Sequence, residues 1–367
     1  MYLQNIQLIN FKNYVEAQLK FSPEVNVFVG DNGAGKTNML DAIYYLSFSK
    51  SYLNPQDRHN IRLDEKFFLV AGDFVKEEKK VNITCSVKQG QKKKLKRNKK
   101  EYEKLADHIG QFPAVIISPY DTNLIKEGSD TRRKFVDSII SQFDKTYLNA
   151  LMRYNRVLAQ RNALLKQFVE MRFFNEENIE VWDAQLVELG NEIFKKRNEF
   201  LIEFIPVVQR HFEFISGGKE KIGITYLSNL HEGDFAEELK KAHRKDSYVG
   251  YTTVGIHKDD LQFEIKEQPI KKFGSQGQQK SFLIALRLAQ FEIVKNLLNI
   301  PPMLLLDDIF DKLDHGRVSQ LMNLVSDGQF GQVFISDTDA ERIEKVFEGI
   351  EINKKVFRIK PEEIQEL

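Results

Sequence analysis

The sequence predicts an α/β fold in which a mostly parallel-sheet head is interrupted by a long, largely helical second lobe. Three observations predict it. A strand-like run, VNVFV at 25–29, enters a glycine-rich loop and leaves it as a helical pattern, KTNMLDAIYYLSF at 36–48. A second apolar run, Met303-Leu304-Leu305-Leu306, ends in Asp307-Asp308, with 270 positions separating Thr37 from Asp307. Between the two lies a stretch, about 130–215, that is helical in pattern and sparing of glycine and proline.

Residues 1–48 alternate in the manner of strands, with Ile6, Leu8, Leu19, Phe21, Val25, Val27 and Val29 as the apolar positions. From Gly30 the period becomes helical through Met39, Leu40, Ile43, Tyr44 and Leu46. Strand-like runs return over 66–118, flanking a basic segment at Gln91–Lys100. In the helical stretch Leu148, Leu151, Met152, Leu158, Leu165 and Phe168 recur at helical spacing, and so do Leu186, Leu189, Ile193, Leu201 and Ile205. RFFNEENIE connects these two series, which predicts an antiparallel helical pair. The last zone, 220–367, alternates strands with helices. The expected division is a head of 1–120 and 251–367, with a lobe of 121–250 inserted between them.

Composition sets outer limits. The chain has 367 residues, 42% apolar and 29% charged, the profile of a soluble globular protein. Lys and Arg number 54 against 53 Asp and Glu, so any contact with nucleic acid has to come from a local patch. A single cysteine, Cys85, excludes an internal disulfide and fits a reducing compartment. The N-terminal MYLQNIQLINFKN has no secretory h-region, and no apolar stretch nears the roughly 20 residues that cross a bilayer. A cytoplasmic location is expected.

The chemistry begins at Gly30-Asp31-Asn32-Gly33-Ala34-Gly35-Lys36-Thr37, which meets GxxxxGK[ST] at every fixed position. Glycines let the backbone curl so that successive N–H groups face phosphates; Lys36 is placed to reach the β/γ-phosphates, and the Thr37 hydroxyl to meet Mg²⁺. The strand before it and the helix after it separate this loop from an ordinary glycine turn. Such a site also needs an acid beside the metal at the end of a buried strand. Asp307 fits that place, and Asp308 fits the orientation or deprotonation of attacking water. Taken alone, the acidic pair would read as a strand-end turn.

A second polar loop, Ser275-Gln276-Gly277-Gln278-Gln279, opens a helix about 30 residues before Met303. It resembles the signature motif of ABC-type ATPases, with Gln in place of the motif's first glycine. In that family the loop completes the nucleotide site of a second subunit, which here implicates Ser275, Gly277 and Gln278. Asp311 and Asp314 in Asp311-Lys312-Leu313-Asp314 resemble the D-loop that crosses the same interface. The local alternative for Ser275 is a helix N-cap. Segments from end to end, LINFKNY, FVGDNGAGKTNMLDAIYYLSFSKSY, SPYDTNLIKEGSDTRRKFVD, YNRVLAQRNALLK, YTTVGIHKDDLQF and LLLDDIFDKLD, together resemble the RecF family of bacterial DNA replication and repair proteins.

That resemblance implies an ABC-type ATPase head with an inserted helical lobe. It implies ATP and Mg²⁺ as cofactors and an ATP-dependent homodimer. It implies binding of duplex DNA near single-strand/double-strand junctions, work with RecO and RecR in loading the recombinase, and slow hydrolysis used for release. The chain departs from the ABC pattern in three places. No His follows QVFIS, where Asp337-Thr338-Asp339 stands and Thr338 is the candidate substitute. No Gln lies in Ser118–Asp121, and Asp308 stands where Glu is usual, which fits slow turnover.

Two other classes share single motifs. A transporter ATPase subunit leaves the 130–215 insertion without a place, and an SMC-like tether requires heptads over hundreds of residues. For DNA, the candidates are Lys92, Lys93, Lys94 and Lys96 in QKKKLKRNKK; the alternative is a solvated hairpin turning near Asn98. Arg153, Arg156 and Arg161 are next in order. Arg132, Arg133 and Lys134 read as ion-pair partners of Asp130 and Asp137, and His257 as a satisfied loop histidine.

Overall fold

The computed structural model describes residues 1–218, 220–309, 330–349, 352–360 and 363–367. Its residues fall into two compact units, Met1–Asp121 with Ile284–Leu367, and Thr122–Leu283.

In chain order, the first unit begins with β1 (Tyr2–Phe11), β2 (Tyr14–Lys20), β3 (Val25–Val29) and α1 (Lys36–Phe48). It continues with β4 (Phe67–Lys76), β5 (Lys79–Lys88), β6 (Lys94–Arg97), β7 (Lys100–Glu101) and β8 (Ala114–Ile117). The second unit holds α2 (Asn123–Lys126), α3 (Ser129–Phe143), α4 (Lys145–Met171), α5 (Glu176–Ser216), β9 (Ile222–Leu227) and α6 (Phe235–Val249). It then holds β10 (Asp260–Ile265), β11 (Gln268–Pro269), α7 (Ile270–Phe273) and the start of α8 (Gln276–Leu298). The chain returns to the first unit with the rest of α8, β12 (Met303–Asp307), β13 (Val333–Asp337), a helix at Ala340–Val346, β14 (Lys354–Ile359) and β15 (Ile364–Glu366).

The first unit has two six-stranded sheets, in the orders β2-β1-β4-β5-β6-β7 and β15-β14-β3-β13-β12-β8. In the second, β8, β12, β13, β3 and β14 run parallel, and β3, β12 and β13 are buried at every residue. Parallel strands covered on both faces read as nearly continuous apolar runs, as MLLL does and as VNVFV does apart from buried Asn26. Helix α1 is buried almost all round, and one core joins its Met39, Ile43 and Leu46 to Leu3 and Phe68 of the antiparallel sheet and Leu305 and Phe334 of the parallel one. Buried Gln332 ties the start of β13 to β1, accepting from Leu3 N at 2.7 Å and donating to Leu3 O at 2.8 Å.

The hairpin expected near Asn98 is present. Asn98 and Lys99 both take positive φ, 49° and 70°, between β6 and β7, the two-residue turn that matches strand twist.

The second unit packs α3, α4, α5 and α6 beside a three-stranded antiparallel sheet, β11-β10-β9. Its expected end at 250 is corrected to Leu283, because β10 pairs with β9 and β11 rather than with a head sheet. The buried face of α4 also differs from the expected apolar series. Tyr147, Ala150, Tyr154, Val157, Arg161, Leu165 and Phe168 line it, whereas Met152 is exposed. Arg161 is wholly buried, bonded to Asp183 at 2.5 Å, Asp246 at 2.7 Å and Thr252 at 2.9 Å, which removes it from the candidates for DNA. Arg197 of α5 likewise joins Asp137 and Asp259.

Arg133 and Lys134 pair with Asp130 as expected, while Arg132 grips Asp260 through two bonds of 2.7 and 3.0 Å. His257 accepts from Tyr154 OH at 2.9 Å and donates to Thr252 O at 3.1 Å; burial pushes its pKa down to about 4, so it stays neutral.

Candidate nucleotide site

The loop between β3 and α1 is set by its glycines. Gly30, Gly33 and Gly35 take φ of 154°, 81° and 119°, values that L side chains rarely adopt. At Gly35 space forbids a side chain as well, since a Cβ would stand 2.5 Å from Asn13 Nδ2. Asp31, Asn32 and Gly33 are exposed and Ala34 is buried, so the loop presents one edge to solvent. The turn between β1 and β2 braces its other edge: Asn13 Nδ2 donates to Ala34 O at 3.1 Å, Tyr14 OH donates to Gly35 O at 3.0 Å, and Asn38 Nδ2 donates to Asn13 Oδ1 at 2.7 Å. No motif assigns a role to Asn13 or Tyr14. Their signal in the sequence is membership of LINFKNY, a segment of the family resemblance in which a polar interruption separates two strands.

Lys36 is buried, and its ammonium donates to Gly30 O at 2.8 Å and Asp31 O at 3.0 Å. The loop thus curls around the lysine head, with the positive charge held at its centre. The next residue meets the far acid: Thr37 Oγ1 donates to Asp307 Oδ1 at 2.9 Å. Two residues 270 apart in sequence are thereby joined inside one sheet, because β12 and β13 and then β3 are neighbours.

Asp307 is 2% exposed. Burial raises its carboxyl pKa, opposed by hydrogen bonds from Ser336 and Thr37, raised again by Asp308 and lowered by Lys36. Ser336 Oγ donates to Asp307 Oδ1 at 2.7 Å and accepts from Asp308 N at 3.1 Å, so one hydroxyl fixes both acids. Ser336 is a second residue that sequence patterns miss; a polar residue closing the apolar strand QVFIS is the available signal. Asp308 takes positive φ, 51°, and its Oδ1 is buried without a hydrogen-bond partner among the described residues.

Thr37, Asp307 and Asp308 bring together the hydroxyl and carboxylate oxygens that a hard divalent cation prefers. Among the described residues no Lys or Arg forms an ion pair with Asp307, whose hydrogen bonds come from the hydroxyls of Thr37 and Ser336, and that donor set fits Mg²⁺. No cluster of three or more His, Cys, Asp or Glu suited to a metal occurs among the described residues.

Ser275 is exposed and caps α8. Its Oγ accepts from Gln278 N at 3.2 Å while Gln278 Oε1 accepts from Ser275 N at 2.6 Å, a reciprocal capping box. The cap uses a lone pair of Ser275 and leaves its hydroxyl proton able to donate. Gly277 and Gln278 are half-buried, and Gln278 also donates to Glu220. Asp311 and Asp314 lie outside the described residues. Thr338 is half-buried after β13, beside Asp337, which pairs with Arg342 at 3.6 Å.

The four basic candidates do not stay together. Lys92 and Lys94 are exposed and Lys96 is half-buried, with Leu95 in the core between Lys94 and Lys96. Lys93 turns inward instead, donating to Ser49 O at 2.6 Å and Asp57 Oδ2 at 2.8 Å. It anchors the loop after α1, which corrects its placement among residues available to DNA. Arg153 and Arg156 are exposed.

The segment Ser118–Asp121, which lacks the Gln of the ABC pattern, carries a buried carboxylate. Asp121 accepts from Arg287 of α8 at 2.5 Å and from Tyr52 OH at 2.5 Å.

Comparison with known proteins agrees with this geometry. Residues 2–360 match the RecF/RecN/SMC N-terminal domain. The DNA replication and repair protein RecF of Flavobacterium johnsoniae is 51% identical over 98% of this chain and 100% of its own length. That of Phocaeicola vulgatus is 48% identical over 100% and 98%. A solved structure of the recombination mediator protein RecF with ATP, in the RecFOR pathway, is 31% identical with TM-score 0.90, covering 100% of this chain and 97% of that one. An SMC head domain from Pyrococcus furiosus, 19% identical with TM-score 0.56, covers 100% of this chain and 96% of that one and shares the fold. With a phosphate loop, a strand-end acid pair and relatives matched along their whole length, the chain belongs to the RecF family of DNA replication and repair proteins.

Proposed function

We propose that this protein is an ATP-dependent DNA-binding protein of recombinational repair and replication-fork maintenance, acting in the cytoplasm. The observation that carries the reading is the contact between Thr37 and Asp307 beside a lysine-centred phosphate loop. Gly30 to Gly35 offer backbone N–H groups to the phosphates, and Lys36 exchanges its carbonyl partners for phosphate oxygens. Thr37 and Asp307 would hold Mg²⁺, which supplies charge neutralisation at the β- and γ-phosphates. Asp308, with an unpartnered buried oxygen, orients the attacking water. Its carboxylate is one methylene shorter than Glu, which fits a slow ATPase used as a switch.

Two copies close head-to-tail on ATP. Ser275, Gly277 and Gln278 of one copy then cover the γ-phosphate held by the other, Ser275 through its hydroxyl proton, and Asp311 and Asp314 lie in the segment that crosses the interface. The closed dimer binds duplex DNA near single-strand gaps through Lys92, Lys94 and Lys96, works with RecO and RecR to load the recombinase, and opens on hydrolysis. The transporter reading loses support, because the chain matches RecF proteins along their whole length. Sedimentation with a non-hydrolysable ATP analogue and gapped duplex DNA tests the cycle. The wild type is expected to dimerise, while Ser275→Arg binds nucleotide as a monomer because Arg collides with the partner's phosphate. A normal dimer from Ser275→Arg removes the signature from the trans site.

A further inference from the structure

Helix α6 carries two stripes. Phe235, Leu239, Ala242 and Asp246 are buried in the second unit, whereas Lys241, Arg244, Lys245 and Tyr248 recur at i, i+3, i+4 and i+7 on another face. That second stripe forms one wall of a cavity of about 940 Å³. The end of α4 and its connector to α5 form the rest, through Phe168, Val169, Arg172, Phe173 and Phe174.

Three properties of this cavity point to one class of ligand. It is lined by four cations and no acid, and among the described residues Arg172, Arg244 and Lys245 have no ion-pair partner, Lys241 alone pairing with Glu238 at 2.8 Å. Two aromatic side chains on its rim stand in water, Tyr248 at 86% and Phe173 at 62% exposed. Exposed aromatic and Arg side chains around a concavity form the contact set from which protein interfaces draw most of their energy. The Phe168 and Phe174 rings pack edge-on at 5.3 Å, and of the two lining hydroxyls that of Ser247 donates to Arg244 O at 3.0 Å while that of Tyr248 stands on the exposed rim. No Asn or Gln lines the cavity, so the amide that pairs with the edge of a base is missing from it. Aromatic rings within a cationic rim take an apolar side chain flanked by carboxylates.

We propose that the cavity is a docking site for an acidic peptide segment of a partner protein. One aromatic or large aliphatic side chain of the peptide seats over Phe168 and Phe174, and its carboxylates meet Arg172, Arg244 and Lys245. Lys241 through Tyr248 spans about 10 Å of helix, the reach of roughly three residues of extended chain. The site does not depend on nucleotide, so it stands apart from the ATPase reading.

The test is a fluorescence-anisotropy titration of the full chain with a short Asp/Glu-rich fluorescein peptide carrying one central Phe. The same peptide with Ser for Phe and an oligo(dT) of similar length are the comparison probes. Saturable binding is expected, weakened about thirtyfold when the anchor is removed and at least about tenfold in Arg244→Glu/Lys245→Glu. Tyr248→Ala, a change at an exposed position, provides an independent variant if the charge reversal unfolds the lobe, and it too must weaken binding. Absence of saturable binding, or equal affinity across folded variants, overturns the proposal. Tighter binding of oligo(dT) with the same variant sensitivity overturns it in favour of a single-strand groove.

Discussion

Two buried aspartates, Asp246 in the second unit and Asp307 in the first, are balanced differently. In the second unit, Asp246 lies under a guanidinium: Arg161 meets it at 2.7 Å, and Thr253 donates to it through both N and Oγ1. In the first, Asp307 is nearly as deeply buried, but among the described residues its hydrogen bonds come from the hydroxyls of Thr37 and Ser336 and no Lys or Arg pairs with it. A satisfied buried ion pair holds helices in place and has no charge to spare. A buried acid left without a countercharge is strained toward protonation and has affinity to offer a cation. The comparison separates an acid that organises a lobe from one that awaits a ligand.

The largest expected effect sharpens the functional side. Asp308→Asn keeps nucleotide binding but lowers turnover about a hundredfold or more, the usual scale for removal of a base or water-orienting group. A steady-state phosphate-release assay checks it, and turnover at the wild-type rate returns Asp308 to a turn residue.

The next effects act on stability, with opposite signs. Arg161→Met leaves buried Asp246, and half-buried Asp183 beside it, without their guanidinium and is expected to cost about 3–5 kcal/mol. Asp307→Asn, without nucleotide, removes a charge that burial disfavours and is expected to stabilise the protein at neutral pH. The sign follows from linkage. A carboxyl whose folded pKa is raised destabilises the fold above that pKa, and the penalty fades as pH falls toward the unfolded value. Urea melts of both variants at pH 5 and pH 8 measure this; destabilisation by Asp307→Asn at pH 8 would erase the contrast.

The smallest effect concerns the basic hairpin. Replacing Lys92, Lys94 and Lys96 by Gln is expected to reduce the log–log salt slope of duplex binding by about 0.9 for each phosphate no longer neutralised. Lys93→Gln is expected to leave the slope unchanged and lower the melting temperature, because its ammonium holds Ser49 and Asp57. Anisotropy titrations at several salt concentrations distinguish the two outcomes.

The head was more legible in the sequence than the lobe. The phosphate loop, MLLL-Asp307-Asp308 and the Asn98 turn each carry their reason locally, in glycine placement, unbroken apolar runs and turn residues. The lobe's α4 hides its inner face, because Arg161, Tyr147 and Tyr154 stand where apolar counting expects Leu or Met. A buried arginine is recognisable only once Asp183 and Asp246 have been brought to it, and those lie in other helices. The same holds within the site. Ser336 and Asn13 act through bonds to distant residues, Asp307 in one case and Ala34 in the other, so neither belongs to a motif of its own. Lys93 differs from its neighbours only by the direction in which the hairpin turns it.

The central claim is that the Thr37–Asp307 pair is a cation site serving bound nucleotide. Isothermal titration of ATP with and without Mg²⁺, on the wild type and on Asp307→Asn, tests it most directly. Mg²⁺ is expected to tighten ATP binding by the wild type and to leave that of Asp307→Asn unchanged. Full Mg²⁺-dependent tightening in Asp307→Asn would contradict the claim.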